Sequence, residues 1–182
     1  MVYWEVVLCF AVVLIQENVN VPLVEEFARQ IDKMGQDEFE KKFEHPFLIA
    51  GGLNEDDSLS FETSGDSEWE EAMVEYIYPL KKDDSRVFTF ITVGRSRNNH
   101  IVIRSKVVSK LHLVIHREKE GYTVMDSGSR NGSSLNDRPL VPQQPQALKT
   151  GDVITLAGKI TVRYLTPPSA FDYLRKKSSE FR

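Results

Sequence analysis

From Val74 onward the chain is a succession of short β-type runs, each closed by residues that favour turns. Val87 to Val93 alternates in the period-two manner of a half-buried strand. Ile101 to Ile103, Leu113 to Ile115, Tyr122 to Met125, Val153 to Leu156 and Ile160 to Leu165 continue the series. Between them stand Arg97-Asn98-Asn99, Glu120-Gly121, Ser127 to Gly132, Asn136-Asp137 and Ala157-Gly158, the residue types that reverse a backbone cheaply. Short strands at a spacing of roughly 8–12 residues predict an all-β sandwich or barrel, not alternating β and α units.

The rest of the chain reads differently. Residues 20–43 are expected to be helical: Asn20 can cap, Pro22 suits a first turn, and Leu23, Phe27, Ile31 and Met34 recur near the helical period. Gly35 is expected to end that helix and Asp37 to cap a second, with Phe39 and Phe43 on one face. Phe47 to Ala50 is a candidate strand. Residues 53–71 are rich in Asp, Glu, Ser, Thr and Gly, the composition of a solvated loop or linker. After Pro167-Pro168, Ser169 to Arg175 is expected to form a capped terminal helix carrying Phe171 and Leu174. The expected organisation is an N-terminal apolar and helical extension over 1–52, an acidic linker over 53–71, a β module over 72–166 and a C-terminal helix and tail over 167–182. The apolar run Val6 to Ile15 is shorter than the ~20 residues of a membrane span and lacks the basic start of a secretory signal. It is expected to be a buried strand or helix, or to lie upstream of the true start.

Apolar residues make up 41% and charged residues 27% of the 182, as in an ordinary globular chain with one good core. The single cysteine, Cys9, cannot form an intrachain disulfide, which fits a reducing, cytoplasmic setting. The net charge of −4 argues against a general nucleic-acid binder, but it hides an asymmetry. Residues 84–166 hold 13 Lys+Arg against 6 Asp+Glu, a net of +7, and the remainder holds 10 against 21, a net of −11. A basic module inside an acidic chain implies an anionic ligand.

Three loop signatures stand in order on the β framework. They are Val93-Gly94-Arg95-Ser96 with Asn99 and Ile101, then Val108-Ser109-Lys110-Leu111-His112, then Asp126-Ser127-Gly128-Ser129-Arg130-Asn131-Gly132. A trailing Thr150-Gly151-Asp152-Val153-Ile154 and Gly158 close the set. Four matches in order, over roughly residues 70–165, resemble the forkhead-associated (FHA) domain, a phosphothreonine-binding family. The resemblance implies an FHA-like (SMAD/FHA) β-sandwich, here mainly β with an N-terminal helical extension and a short C-terminal helix.

The residue types also make chemical sense without the family. Phosphothreonine carries a charge of about −1.5 to −2 and three strong acceptor oxygens, so its site needs a guanidinium and convergent hydroxyl or amide donors. Arg95 offers the rigid guanidinium fork, and Ser109 a hydroxyl and a backbone N–H. Lys110 and Arg130 add positive charge, and Asn131 suits the backbone of an extended peptide. Ser129 completes the expected phosphopeptide-binding set. Gly94 and Gly132 are expected as turn residues with positive φ, and Asp126 as the acceptor that orders its own loop. The resemblance implies that His112 braces the loop presenting Ser109. A metal reading of His112 and His116 needs a third ligand, and neither His45 nor His100 has the spacing to supply one. Arg97, Arg104 and Lys106 fit either ordinary surface charge or a supporting field for the phosphate. The chain departs from the commoner family pattern at Arg130, in place of a small hydroxyl residue, at His100, in place of an aspartate, and at Lys110, in place of an arginine.

These residues point to a binding module for phosphothreonine-containing proteins, a Ser/Thr kinase or its substrates among them. No catalysis, cofactor, metal, nucleic acid or membrane is expected. The resemblance further implies preference for threonine over serine and for a particular residue three positions after it. The alternative is a phosphate-independent interaction scaffold that uses the N-terminal extension. Nucleic-acid binding by the basic module lacks the expected aromatic-plus-basic motifs. A nucleotide-hydrolysing or dinucleotide enzyme lacks both the G-x-x-x-x-G-K loop and a G-x-G-x-x-G after a strand.

Overall fold

Strand β1 (Phe47–Gly51) is buried at all five positions, and the rest of the architecture explains why. Its even-numbered residues, Leu48 and Ala50, enter one core, and Phe47 and Ile49 enter a second on the opposite face. A strand packed on both faces needs apolar residues throughout instead of alternation. In the computed structural model, which describes residues 23–51, 75–80 and 90–180, the elements following β1 are β2 (Tyr76–Pro79), β3 (Phe90–Gly94), β4 (Ile101–Val102), β5 (Leu113–Glu118) and β6 (Gly121–Asp126). Then come β7 (Ser133–Leu135), β8 (Arg138–Pro139), β9 (Gln146–Leu148), β10 (Val153–Leu156) and β11 (Ile160–Leu165). Two sheets face each other, one of six strands in the order β2-β1-β11-β10-β7-β8 and one of five in the order β4-β3-β5-β6-β9. All pairings are antiparallel except β3 with β4. The sandwich core between the sheets holds Val93, Leu113, Ile115, Val124, Ile154, Leu156, Val162 and Tyr164.

Three helices cover the outer face of the β2-β1-β11 side: α1 (Val24–Ile31), α2 (Gln36–Lys42) and α3 (Pro167–Glu180). Phe27, Phe39, Phe43, Phe47 and Phe171 form an aromatic cluster there, with Phe39 fully buried. The segment expected as an extension therefore supplies a central strand and a helical layer. Polar stitches tie α3 down: the Tyr173 hydroxyl donates to Glu75 at 2.7 Å, and the Ser178 hydroxyl to Asp32 at 2.7 Å.

Several expected boundaries shift. Leu23, not Asn20, occupies the N-cap position of α1, and Asn20, Pro22 and the run Val6 to Ile15 lie outside the described residues. Helix α1 ends at Ile31 with Asp32 as its C-cap, ahead of Gly35. Gly35, not Asp37, caps α2: its extended backbone (φ −76°, ψ 158°) leaves its carbonyl to accept the Phe39 N–H at 3.0 Å. Asp37 falls in the first turn, where its charge favours the helix dipole. Helix α3 starts at Pro167, because a first-turn proline gives up no needed N–H, and runs on to Glu180. The linker 53–71 and residues 87–89 also lie outside the described residues.

Candidate functional site

The three signature loops meet at one end of the sandwich, and backbone hydrogen bonds hold them there. β3 ends at Gly94, beyond which the Arg95 N–H donates to the Ser109 carbonyl at 3.0 Å and the Ser96 N–H to the Lys110 carbonyl at 3.2 Å. The Asn99 side-chain amide donates to the carbonyls of Ser96 at 2.8 Å and Lys110 at 2.6 Å. Gly94 owes its place to space, not to the positive φ expected of it. A Cβ there would lie 2.4 Å from the Lys110 carbonyl oxygen and 2.9 Å from the Asn99 amide nitrogen. Gly132 does take the left-handed conformation, with φ +72°.

The second and third loops are joined through His112, which is fully buried. Its Nδ1 accepts the Ser109 N–H at 3.0 Å, which leaves Nε2 as the protonated nitrogen donating to the Gly132 carbonyl at 3.2 Å. The Ser109 N–H, expected as a ligand donor, is therefore spent on His112. The Ser109 hydroxyl accepts the Arg130 N–H at 2.9 Å, and the Asn131 amide donates to the Val107 carbonyl at 2.8 Å. Asp126, 1% exposed, organises the third loop from beneath. Its Oδ1 accepts the N–H groups of Gly128 and Ser129, and its Oδ2 the hydroxyls of Ser129 and Ser133. Ser129, expected to touch the phosphopeptide, thus turns its hydroxyl proton inward to Asp126 at 2.7 Å.

Electrostatics follow from this bonding. Burial pushes the His112 imidazole below its usual value, against the smaller pull of the Gly132 carbonyl and the Asp126 charge, so the neutral ring is favoured. Burial would raise the Asp126 carboxyl, but the donors from Ser133, Ser129 and Gly128 outweigh it and hold the group below the ordinary carboxylate range. On the exposed side of the loops stand Arg95, Lys110 and Arg130, none with an ion pair or side-chain hydrogen bond among the described residues. The Lys110 N–H also lacks a partner there. Buried carboxylate beneath and uncompensated cations above make a rim suited to an anion.

Sequence reasoning missed the part played by Asn99, marked only by its place in a motif, because an amide reaching two carbonyls across a loop leaves no periodic signal. Among the described residues no group of three or more His, Cys, Asp or Glu side chains is placed to hold a metal, and no helix is long and apolar enough to cross a membrane.

Fold and loops together define a β-sandwich module that carries its site on the connections between strands. The family model of the FHA domain matches residues 91–157 of the chain. An FHA domain-containing protein of Arabidopsis thaliana is 40% identical over 67 residues, which are 36% of this chain and 17% of that protein. Protein FraH of Nostoc sp. is 36% identical over 61 residues, 34% of this chain and 21% of its own length. The matches thus span about a fifth of each curated relative. Among solved structures, the N-terminal FHA domain of S. cerevisiae Rad53p in complex with a phosphothreonine peptide superposes with a TM-score of 0.43 at 23% identity, covering 50% of this chain and 83% of that one.

Proposed function

We propose that the chain binds phosphothreonine in a partner protein and acts as a recognition module, not as an enzyme. The observation that carries this reading is that the loops bearing Arg95, Lys110 and Arg130, side chains without carboxylate partners among the described residues, meet at Ser109, whose carbonyl accepts the Arg95 N–H and whose hydroxyl accepts the Arg130 N–H. A hydroxyl polarised in that way is a better donor to a phosphate oxygen, and the free Lys110 N–H is a second. Asn131 keeps its carbonyl oxygen and one amide hydrogen for the peptide backbone, while its bond to Val107 fixes its direction. Arg130 substitutes an ionic contact for the hydroxyl commoner in the family, which strengthens the salt dependence of binding. The phosphorylated partner is the product of a Ser/Thr kinase, or that kinase itself, met in the cytoplasm.

The reading is tested by titrating the chain with one peptide sequence carrying phosphothreonine, phosphoserine or unmodified threonine. Phosphothreonine is expected to bind tightest, and equal affinity for all three would remove the proposal. Arg95→Ala is expected to cost roughly 2–5 kcal/mol of binding, as for one truncated partner of a hydrogen-bonded charge pair. A calorimetric loss below about 0.5 kcal/mol, the scale of an exposed ion pair, contradicts the role.

A further inference from the structure

The two sheets leave an open side where β8, the last strand of one, faces β9, the last strand of the other. A groove of about 420 Å³ runs there, lined by Leu135, Asn136, Arg138, Pro139, Leu140 and Gln146. That volume is enough for one or two side chains. The loop 140–145 crosses from β8 to β9 and closes the groove at the end nearest the phosphate rim. Three bonds fix it: Leu140 N–H to the Ser133 carbonyl at 2.9 Å, Gln143 N–H to the Asp126 carbonyl at 2.8 Å, and Gln144 N–H to the Val141 carbonyl at 3.1 Å. Pro142 and Pro145 stiffen it further. The first two of those bonds tie the loop to Ser133, which follows Gly132, and to Asp126, so the groove adjoins the third site loop.

Only two large apolar side chains are exposed among the described residues, Leu111 at 43% and Val141 at 53%. Both stand on loops hydrogen-bonded to the site, and Val141 directly follows the groove residue Leu140. The Arg138 side chain, exposed on the groove wall, has no ion-pair or hydrogen-bond partner among the described residues. The groove lining thus joins the apolar Leu135 and Leu140 to the basic Arg138.

We propose that the groove between β8 and β9 holds a second segment of the phosphoprotein ligand, an extended stretch bearing an apolar side chain beside a carboxylate. The apolar side chain packs on Leu135, Leu140 and Val141, and the carboxylate pairs with Arg138. This rests on the phosphothreonine reading and extends it from a point contact to a bipartite one. The Arg130 N–H bonds the Ser109 hydroxyl, and past Gly132 the same backbone runs into β7 and reaches the groove wall at Leu135.

The test uses the full chain and two probes: a five-residue phosphothreonine peptide with alanine flanks, and an oriented library of 15-residue peptides with a central phosphothreonine. Wild type is expected to bind the short peptide and to select, in the library, an apolar residue with an acidic neighbour away from the centre. Val141→Ser is expected to weaken the selected 15-residue peptide about tenfold, and Arg138→Ala by up to about fivefold, with the acidic preference gone. Both variants are expected to bind the short peptide as wild type does. Selection confined to the residues beside the phosphothreonine, unchanged affinity in both variants, or equal loss for short and long probes overturns the groove. Failure of wild type to bind the short peptide overturns the phosphothreonine reading and the groove with it, and the two failures are told apart by that control.

Discussion

Gly94 sits where the backbone of one site loop touches the backbone of another, so its role is steric. With only 2.4 Å between an added Cβ and the Lys110 carbonyl oxygen, Gly94→Ala must push the 109–111 segment away or strain β3. The expected cost is about 1–3 kcal/mol, the range for overpacking, read as a lower denaturation midpoint together with weaker phosphopeptide binding. Asp126→Ala strips four donors of their acceptor, and leaving buried N–H groups unpaired costs about 1–3 kcal/mol. Asp126→Asn is expected to lose less, since the Ser129 and Ser133 hydroxyls can turn to accept from the amide. His112 and Asp126 also set the acid side of stability. Both have folded values below their usual ones, so both favour folding above the usual value and lose that contribution as pH falls through the folded value. Stability is therefore expected to fall on acidification in two stages, first below the ordinary histidine value near 6.5 and then in the carboxylate range. A thermal melt series that is flat from neutral pH down through both ranges contradicts this. At this scale the sequence was a partial guide. Arg95, Ser109 and Asn131 stand out by type and spacing, but Ser129 turns inward and the Ser109 N–H is consumed by His112. Those choices are made by through-space partners, which residue type and spacing do not reveal.

Among the elements, β1 and the helices show how one sheet can serve two cores. Phe47 and Ile49 belong with α1, α2 and α3, while Leu48 and Ala50 belong with the sandwich. Phe39 is fully buried in the helical core, and Phe39→Ala is expected to lower unfolding free energy by about 3–5 kcal/mol. Because the site loops lie at the sandwich end, phosphopeptide affinity of the folded fraction is expected to stay unchanged. Strands with clear alternation, such as β10 and β11, were legible from sequence. β7, β8 and β9 were not, because they are two or three residues long and contain Ser, Arg, Pro and Gln, so pairing partners instead of side-chain pattern define them.

For the whole molecule, strands from both sides of residue 72 share one sheet. β1 lies between β2 and β11 in the sheet, and strand β2 pairs with no other named strand. A fragment limited to residues 72–166 removes β1 and the helical cover together, and exposes both Ile77 and the β11 edge. It is expected to be insoluble or partly unfolded, whereas a fragment that also carries residues 23–51 and 167–180 is expected to give a dispersed amide spectrum. Contact between segments so far apart in sequence, β1 with β11 above all, is invisible to local pattern. That is why the FHA-like fold could be read while the place of β1 in the sheet could not. The central claim is phosphate recognition by the loop rim, and an amide NMR titration with matched phosphothreonine and unmodified peptides tests it most directly. The account predicts phosphate-dependent shifts at the Lys110 N–H, the Arg95 side-chain N–H and the Asn131 amide. Shifts that are absent from these three groups, or identical for the two peptides, would contradict it.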